Sequence, residues 1–201
     1  MYEIILASQS PRRRQLLGDA GFLFQVHLVK VSENIEENLN PADFAQALSR
    51  RKAKYLIDSL KQTNLLNKLV LSADTVVAIE GRILGKPENF QQAQDFLSLL
   101  SGKMHSVITG CTLVPDGDWA RAHTFFEQTK VYFRILTNLE IEKYIQTGEP
   151  MDKAGAYAIQ GLGKQFVEKY EGSWSNVVGL PLEKLVSQLQ AKGWHVHKNP
   201  S

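Results

Sequence analysis

An α/β fold, a mixed twisted sheet with flanking helices, is what this sequence predicts, and three observations carry it. The chain opens on an apolar run, Tyr2 to Ala7, that turns at Ser10-Pro11 into helix-starting chemistry. Two later regions, Leu66 to Ile79 and the pair His105 to Val114 and Ala122 to Ile135, are too β-branched and too continuously apolar for surface helices. Capped segments with helical spacing lie between and after them, which is the alternation that stacks helices on a sheet. No internal repeat, low-complexity segment or linker interrupts the chain, so residues 1–201 read as a single domain, with two lobes around a cleft.

The first strand passes through polar Ser8 to Ser10 into a helix for which Ser10 is the N-cap and Pro11 the first residue, where its missing N–H is no loss. Asn40-Pro41 opens a second helix to about Ser59, with Phe44, Ala45, Leu48, Ala53 and Leu56 on one side, and it delivers Lys52 one turn beyond Leu48. The run ending at Ile79 reads as a buried strand interrupted by Ser72, Ala73, Asp74 and Thr75, then turns at Glu80-Gly81 into a hairpin returning Arg82 to Leu84. After the Gly85-Lys86-Pro87 corner, Asn89 caps a helix through Leu100 whose apolar stripe is Phe90, Ala93, Phe96, Leu97 and Leu100. The two long strands that follow, joined through Asp116-Gly117-Asp118, form an antiparallel ribbon. Thr137 with Glu140 is a capping box for a helix to Gln146, and a last helix, Leu182 to Lys192, leads into a short terminal strand, Trp194 to His197.

With 201 residues, 43% of them hydrophobic, the chain can bury a substantial core. Lys and Arg exceed Asp and Glu by only two, 23 against 21, which argues against a basic nucleic-acid surface. The single Cys111 cannot form an internal disulfide and suits a buried strand position. No signal segment and no apolar run long enough to span a bilayer is visible, so the expected setting is cytoplasmic, without membrane contact.

Three stretches carry chemistry. Arg12, Arg13 and Arg14 occupy the first turn of a helix, the wrong end of its dipole for cations, so either an anion offsets them or they form a solvated basic turn. Asp74 sits in an apolar strand, where a carboxylate costs several kcal/mol (roughly) unless paired or metal-bound; it is either functional or a structural acid held by backbone or a core lysine. Between Glu149 and Leu182 the chain is dense in glycine and charge, with Gly155, Gly161 and Gly163 among Asp152, Lys153, Gln160 and Lys164. Lys52, Lys86 and Lys153 add cations, whereas Glu33, Asp74 and Asp152 are the available acids. That balance fits a polyanion and triphosphate chemistry, in which cations neutralise phosphate oxygens and one carboxylate deprotonates water. Walker A, zinc-ligand and Gly-x-Ser-x-Gly patterns are missing, and the five histidines are scattered.

In order, LASQSPRRRQLL, SADTVV, GKP, SGKMHSVITG, EPMDKAGAYAIQGLG and GSWSNVVGLPL resemble the successive motifs of the Maf family of nucleoside triphosphate pyrophosphatases, from Leu6 to Leu182. The resemblance implies a fold akin to the inosine triphosphate pyrophosphatase group, a homodimer, a divalent metal (Mg2+ or Mn2+), and cleavage of a nucleoside triphosphate between the α and β phosphates. By motif it makes Asp74 the proton acceptor and, with Glu33, a metal ligand. It places Arg12, Thr75 and Gln160 at positions associated with base choice, and Ser8, Arg13, Lys52 and Lys86 near the phosphates. The Arg, Thr, Gln combination resembles the branch that prefers dTTP and UTP rather than the sister branch acting on 7-methyl-GTP. Departures are small: Arg50-Arg51 stands where the family often has an acid, and Trp174 where tyrosine is common. Two other readings compete, a non-catalytic nucleotide-binding regulator of cell division and septum formation, and a nucleic-acid-binding module using the arginines.

Overall fold

The apolar opening run becomes a central strand. β1 (Glu3–Ala7) lies between β2 (Phe24–His27) and β3 (Lys68–Ile79) and is parallel to both. The computed structural model describes residues 1–32, 35, 39–60 and 64–199. Beyond β3 the ladder is antiparallel, through β5 (Met104–Pro115) and β6 (His123–Phe133) to β7 (Val167–Glu171), while β4 (Arg82–Leu84) folds back on β3. The result is one seven-stranded mixed sheet in the order β2-β1-β3-β5-β6-β7, with β4 beside β3.

One consequence of this register positions the functional site. β5 occupies a whole edge of β3, from Leu69 to Ala78, so β1 and β4 share the other edge. There β1 pairs only as far as Ser72, and β4 begins at Val77. Residues 73–76 have no strand partner on that side among the described residues, and the sheet is open at Asp74 and Thr75. An opening beside the carboxyl end of a parallel strand is where α/β sheets hold ligands.

Helices cover both faces, and the first four start at the caps the sequence marks. α1 (Pro11–Asp19) is capped by Ser10, α2 (Pro41–Ser59) by Asn40, α3 (Phe90–Leu100) by Asn89, and α4 (Asn138–Gln146) by the full Thr137/Glu140 capping box. α5 (Trp174–Val178) and α6 (Leu182–Ala191) complete the set. Strand alternation on β3 sorts them into layers. Leu69, Leu71 and Ala73 pack with Leu17, Leu185 and Leu189; Val77 and Ile79, on the same face, pack with Leu97 and Ile141. Val70 meets Ala53 and Leu56 on the opposite face, and Val76 meets Ala45, so α2 covers that side. α2 sits almost on the backbone of β5. A Cβ added at Gly110 would lie 2.4 Å from the carbonyl carbon of Ala45, so only glycine permits that approach.

The expected hairpin forms with Glu80 and Gly81 at φ 52° and 76°, the pair of positive values a tight two-residue turn requires. Three expectations need correcting. β3 runs without interruption through Ser72–Thr75, whose polar side chains are satisfied by the Ser49 carbonyl, Lys52 and Arg13. Phe90 is not part of the buried stripe of α3; as the first residue of the helix it is 59% exposed, and the buried stripe is Ala93, Leu97 and Leu100. Trp194 to His197 forms no strand but only an isolated bridge, Tyr2 to Val196, with Trp194 buried against the core. Among the described residues, no helix is long and apolar enough to cross a membrane.

Candidate active site

A cavity of about 690 Å³ fills the opening on the β3 edge. Its first wall is the turn from β1 into α1. The three consecutive arginines there go three ways: Arg13 is buried, Arg12 is half-buried along the cavity, and Arg14 is exposed and does not line it. Arg13 brackets the wall. Its Nε donates to the Gly179 carbonyl at 2.7 Å, Nη1 to Ser8 Oγ at 3.2 Å and Nη2 to Thr75 Oγ1 at 3.0 Å. Gly179 has φ 125°, a conformation side chains rarely adopt, which aims its carbonyl at the guanidinium. Thr75 continues the network to Thr109 at 2.9 Å, whose hydroxyl donates to the Asn176 carbonyl at 3.1 Å. These bonds tie α1, β3, β5 and α5 into one support.

The floor is Asp74. It is 7% exposed and bonded at 2.5 Å to Lys52 Nζ, which α2 delivers from the opposite face. A buried carboxylate is tolerated because that ammonium accompanies it. Asp74 is thus an acid held by a core lysine, and the pair opens onto the cavity.

The second wall is the glycine-rich segment 152–160. Lys153 is bonded to the neighbouring Asp152, and the Asp152 carboxyl stays below its ordinary pKa because the Lys153 hydrogen bond and charge, aided by Arg12, outweigh burial. Tyr157 lines the cavity and shares a 2.7 Å hydrogen bond with buried His105, whose pKa burial pushes down to about 4. Burial also lowers the Arg12 pKa, a shift that the charges of Asp152 and Glu149 partly offset. Arg12, Lys86 and the Gln160 amide have no side-chain hydrogen bond or ion pair among the described residues, and all three line the cavity. They are free to meet a ligand.

Ser8, Arg12, Arg13, Lys52, Asp74, Thr75, Lys86 and Gln160 are thus brought together from five distant stretches of chain. Glu33 lies outside the described residues. Among those described, six basic residues, Arg12, Arg13, Lys30, Lys52, Lys86 and Lys153, and two acids, Asp74 and Asp152, line the cavity. The excess of positive charge matches a triphosphate, which carries about four negative charges. Tyr157 and the Gly179 carbonyl have roles no sequence pattern discloses, because each depends on a partner more than fifty residues away. The family departures lie outside the cavity: Arg50 donates to Thr124 and stacks over Trp119, and Trp174 opens α5 at the surface.

Residues 3–192 match the family described as Maf-like protein. A dTTP/UTP pyrophosphatase of Bdellovibrio bacteriovorus is 51% identical over 189 residues, covering 94% of this chain and 97% of that one. A dTTP/UTP pyrophosphatase of Bacillus pumilus is 47% identical over 193 residues, covering 96% and 98%. Among solved structures, a nucleoside-triphosphatase, dITP/XTP pyrophosphatase, from Mycobacterium abscessus aligns over 95% of both chains with a TM-score of 0.40 and 14% identity.

Proposed function

The chain belongs to the Maf-like protein family, and from that premise we propose that it hydrolyses nucleoside triphosphates, dTTP and UTP foremost, between the α and β phosphates. The single observation that carries the reading is the Asp74–Lys52 pair at the floor of a strongly cationic cavity. Asp74 is the general base: it takes a proton from water as the water oxygen bonds to phosphorus, and the bridging oxygen departs with pyrophosphate, leaving the nucleoside monophosphate. The incoming triphosphate competes for Lys52, which releases the carboxylate as the substrate seats. Lys86 and Lys153 neutralise phosphate oxygens from the opposite side, and Arg13 adds charge while holding Ser8 and Thr75 in place.

Gln160 reads the base. A neutral amide offers both a donor and an acceptor, as the N3–H and carbonyls of thymine and uracil require, and this one has no competing partner among the described residues. Arg12 and Thr75 complete the specificity set. The donor chemistry also suits a divalent cation. Among the described residues no group of three or more His, Cys, Asp or Glu gathers to hold one, but Mg2+ and Mn2+ bound with phosphates need only one or two carboxylates. Asp74 and Asp152 would hold it, with Glu33 a third carboxylate by motif. When bound, it supplies charge neutralisation at the phosphates.

The test is pyrophosphate release from a panel of nucleotides with and without magnesium or manganese. Metal-dependent release from dTTP and UTP, well above that from guanine nucleotides, is expected. Tight nucleotide binding without turnover would instead make the chain a nucleotide-binding regulator.

A further inference from the structure

Glu149 does not line the cavity, yet its carboxylate holds the residues that directly follow the second wall. Oε1 accepts from the Tyr144 hydroxyl at 2.9 Å and from the Gly163 amide at 3.0 Å, and Oε2 accepts from the Leu162 amide at 3.0 Å. The chain folds closely over it. At Gly161, with φ 92°, an added Cβ would lie 2.7 Å from Oε2. The anchor beneath is rigid, because Tyr144 is 2% exposed and packs edge-on against Phe166 at 4.9 Å. Burial works to neutralise the Glu149 carboxyl, but the two amides, the Tyr144 hydroxyl and the Lys153 charge outweigh it and hold its pKa below the ordinary value. The carboxylate is therefore ionised at neutral pH, when it is the best acceptor.

Gln160 stands between two fixed points. Ala158 and Ile159 are buried on one side, and the latched turn 161–163 follows on the other. We propose that Glu149 is a positioning residue for base recognition: clasped by Tyr144 and the amides of Leu162 and Gly163, it fixes the turn that presents Gln160 to the nucleobase. This rests on Gln160 being the base reader, as proposed above. A carboxylate accepts at both ends, whereas an amide of the same shape accepts at only one. Glu149→Gln therefore sets its NH2 group against a backbone N–H and leaves one of the two amides unpaired. Asp74, Lys52 and Lys86 are untouched by that change.

Two readouts decide the proposal. The first, independent of activity, is hydrogen exchange at the Leu162 and Gly163 amides in the ligand-free protein. Exchange about tenfold or more faster in Glu149→Gln is expected, and unchanged exchange would overturn the latch. The second compares kcat and KM for dTTP and dGTP in wild type, Glu149→Gln, Gln160→Ala and the double variant. The single Glu149 variant should raise KM for dTTP by about tenfold with kcat little changed, and should lower the dTTP:dGTP ratio toward that of Gln160→Ala. The double variant should be no worse than Gln160→Ala alone, since both changes remove one function. Losses that multiply, or an equal fall of kcat on both nucleotides with selectivity intact, would make Glu149 a merely structural residue. Should Glu149→Gln fail to fold, Tyr144→Phe removes one bond to the carboxylate while leaving the Leu162 and Gly163 amides paired with it; it should shift the ratio in the same direction by less, and an unshifted ratio would count against the proposal. If wild type shows no pyrimidine preference, the reading of Gln160 falls, while the exchange measurement still decides the latch.

Discussion

Asp74 and Thr75 are neighbours in β3 and point to opposite faces of the sheet, yet both line one cavity. The open strand edge makes this possible: Asp74 meets Lys52 of α2 on one face and Thr75 meets Arg13 of α1 on the other. At the same scale, Gln160→Glu tests base reading. A carboxylate cannot donate to a pyrimidine carbonyl but suits the adjacent N1–H and amine of guanine. The ratio of kcat/KM for dTTP over a guanine triphosphate should fall about tenfold to a hundredfold. An unchanged ratio would remove Gln160 from recognition. His105 makes a separate prediction about stability. Burial holds it near 4, below the ordinary 6.5, so beneath pH 6.5 the unfolded chain binds a proton that the folded chain refuses. Its contribution is complete above pH 6.5 and is lost as pH falls toward 4, by up to about 3 kcal/mol. Urea midpoints should drop between pH 6.5 and 4.5, and His105→Gln, which keeps a partner for Tyr157 but does not titrate, should flatten that slope. An equal slope in the variant would assign the acid sensitivity to another group.

Elements were legible where their signals are local. Ser10, Asn40, Asn89 and Thr137 each cap the helix that the sequence predicts, because a cap bonds amides two or three residues away. β2 and β7 left no such mark. Both are short, mostly polar or half-exposed edge strands, and they exist because β1 and β6 offer them a ladder. α5 is equally hidden, five residues whose place is set by Asn176 bonding Val107 and Thr129. The contact between α2 and β5 gives the prediction proper to this scale. Gly110→Ala sets a Cβ against the Ala45 backbone and should destabilise the protein by about 1–3 kcal/mol through overpacking. Displacing α2 also displaces Lys52, so kcat on dTTP should fall with the urea midpoint. Unchanged values of both would mean that α2 does not hold Lys52 in place.

At the scale of the whole molecule, the sequence carries the types and order of the site residues but not the gap that gathers them. Asp74 was recognisable as a charge in an apolar strand, and the arginines as cations at a helix start. That Asp74, Arg12 and Arg13 line one cavity follows from β1 ending opposite Ser72 and β4 ending, at Leu84, opposite Val77, a register that depends on the long-range pairing of β1 with β3. Glu149 was hidden for the same reason, since the two amides it accepts from lie thirteen and fourteen residues downstream. The gathered charge predicts that Lys86→Ala weakens triphosphate handling without altering base preference, read as a higher KM or lower kcat on dTTP at a constant dTTP:dGTP ratio. A changed ratio would move Lys86 to the base. The central claim, that Asp74 activates water for cleavage between the α and β phosphates, is tested most directly by resolving the products of dTTP hydrolysis in wild type and Asp74→Asn. The expected result is dTMP and pyrophosphate, formed at least about a hundredfold more slowly by a variant that still folds and binds dTTP. Formation of dTDP and orthophosphate, or a variant that turns over at the wild-type rate, would contradict it.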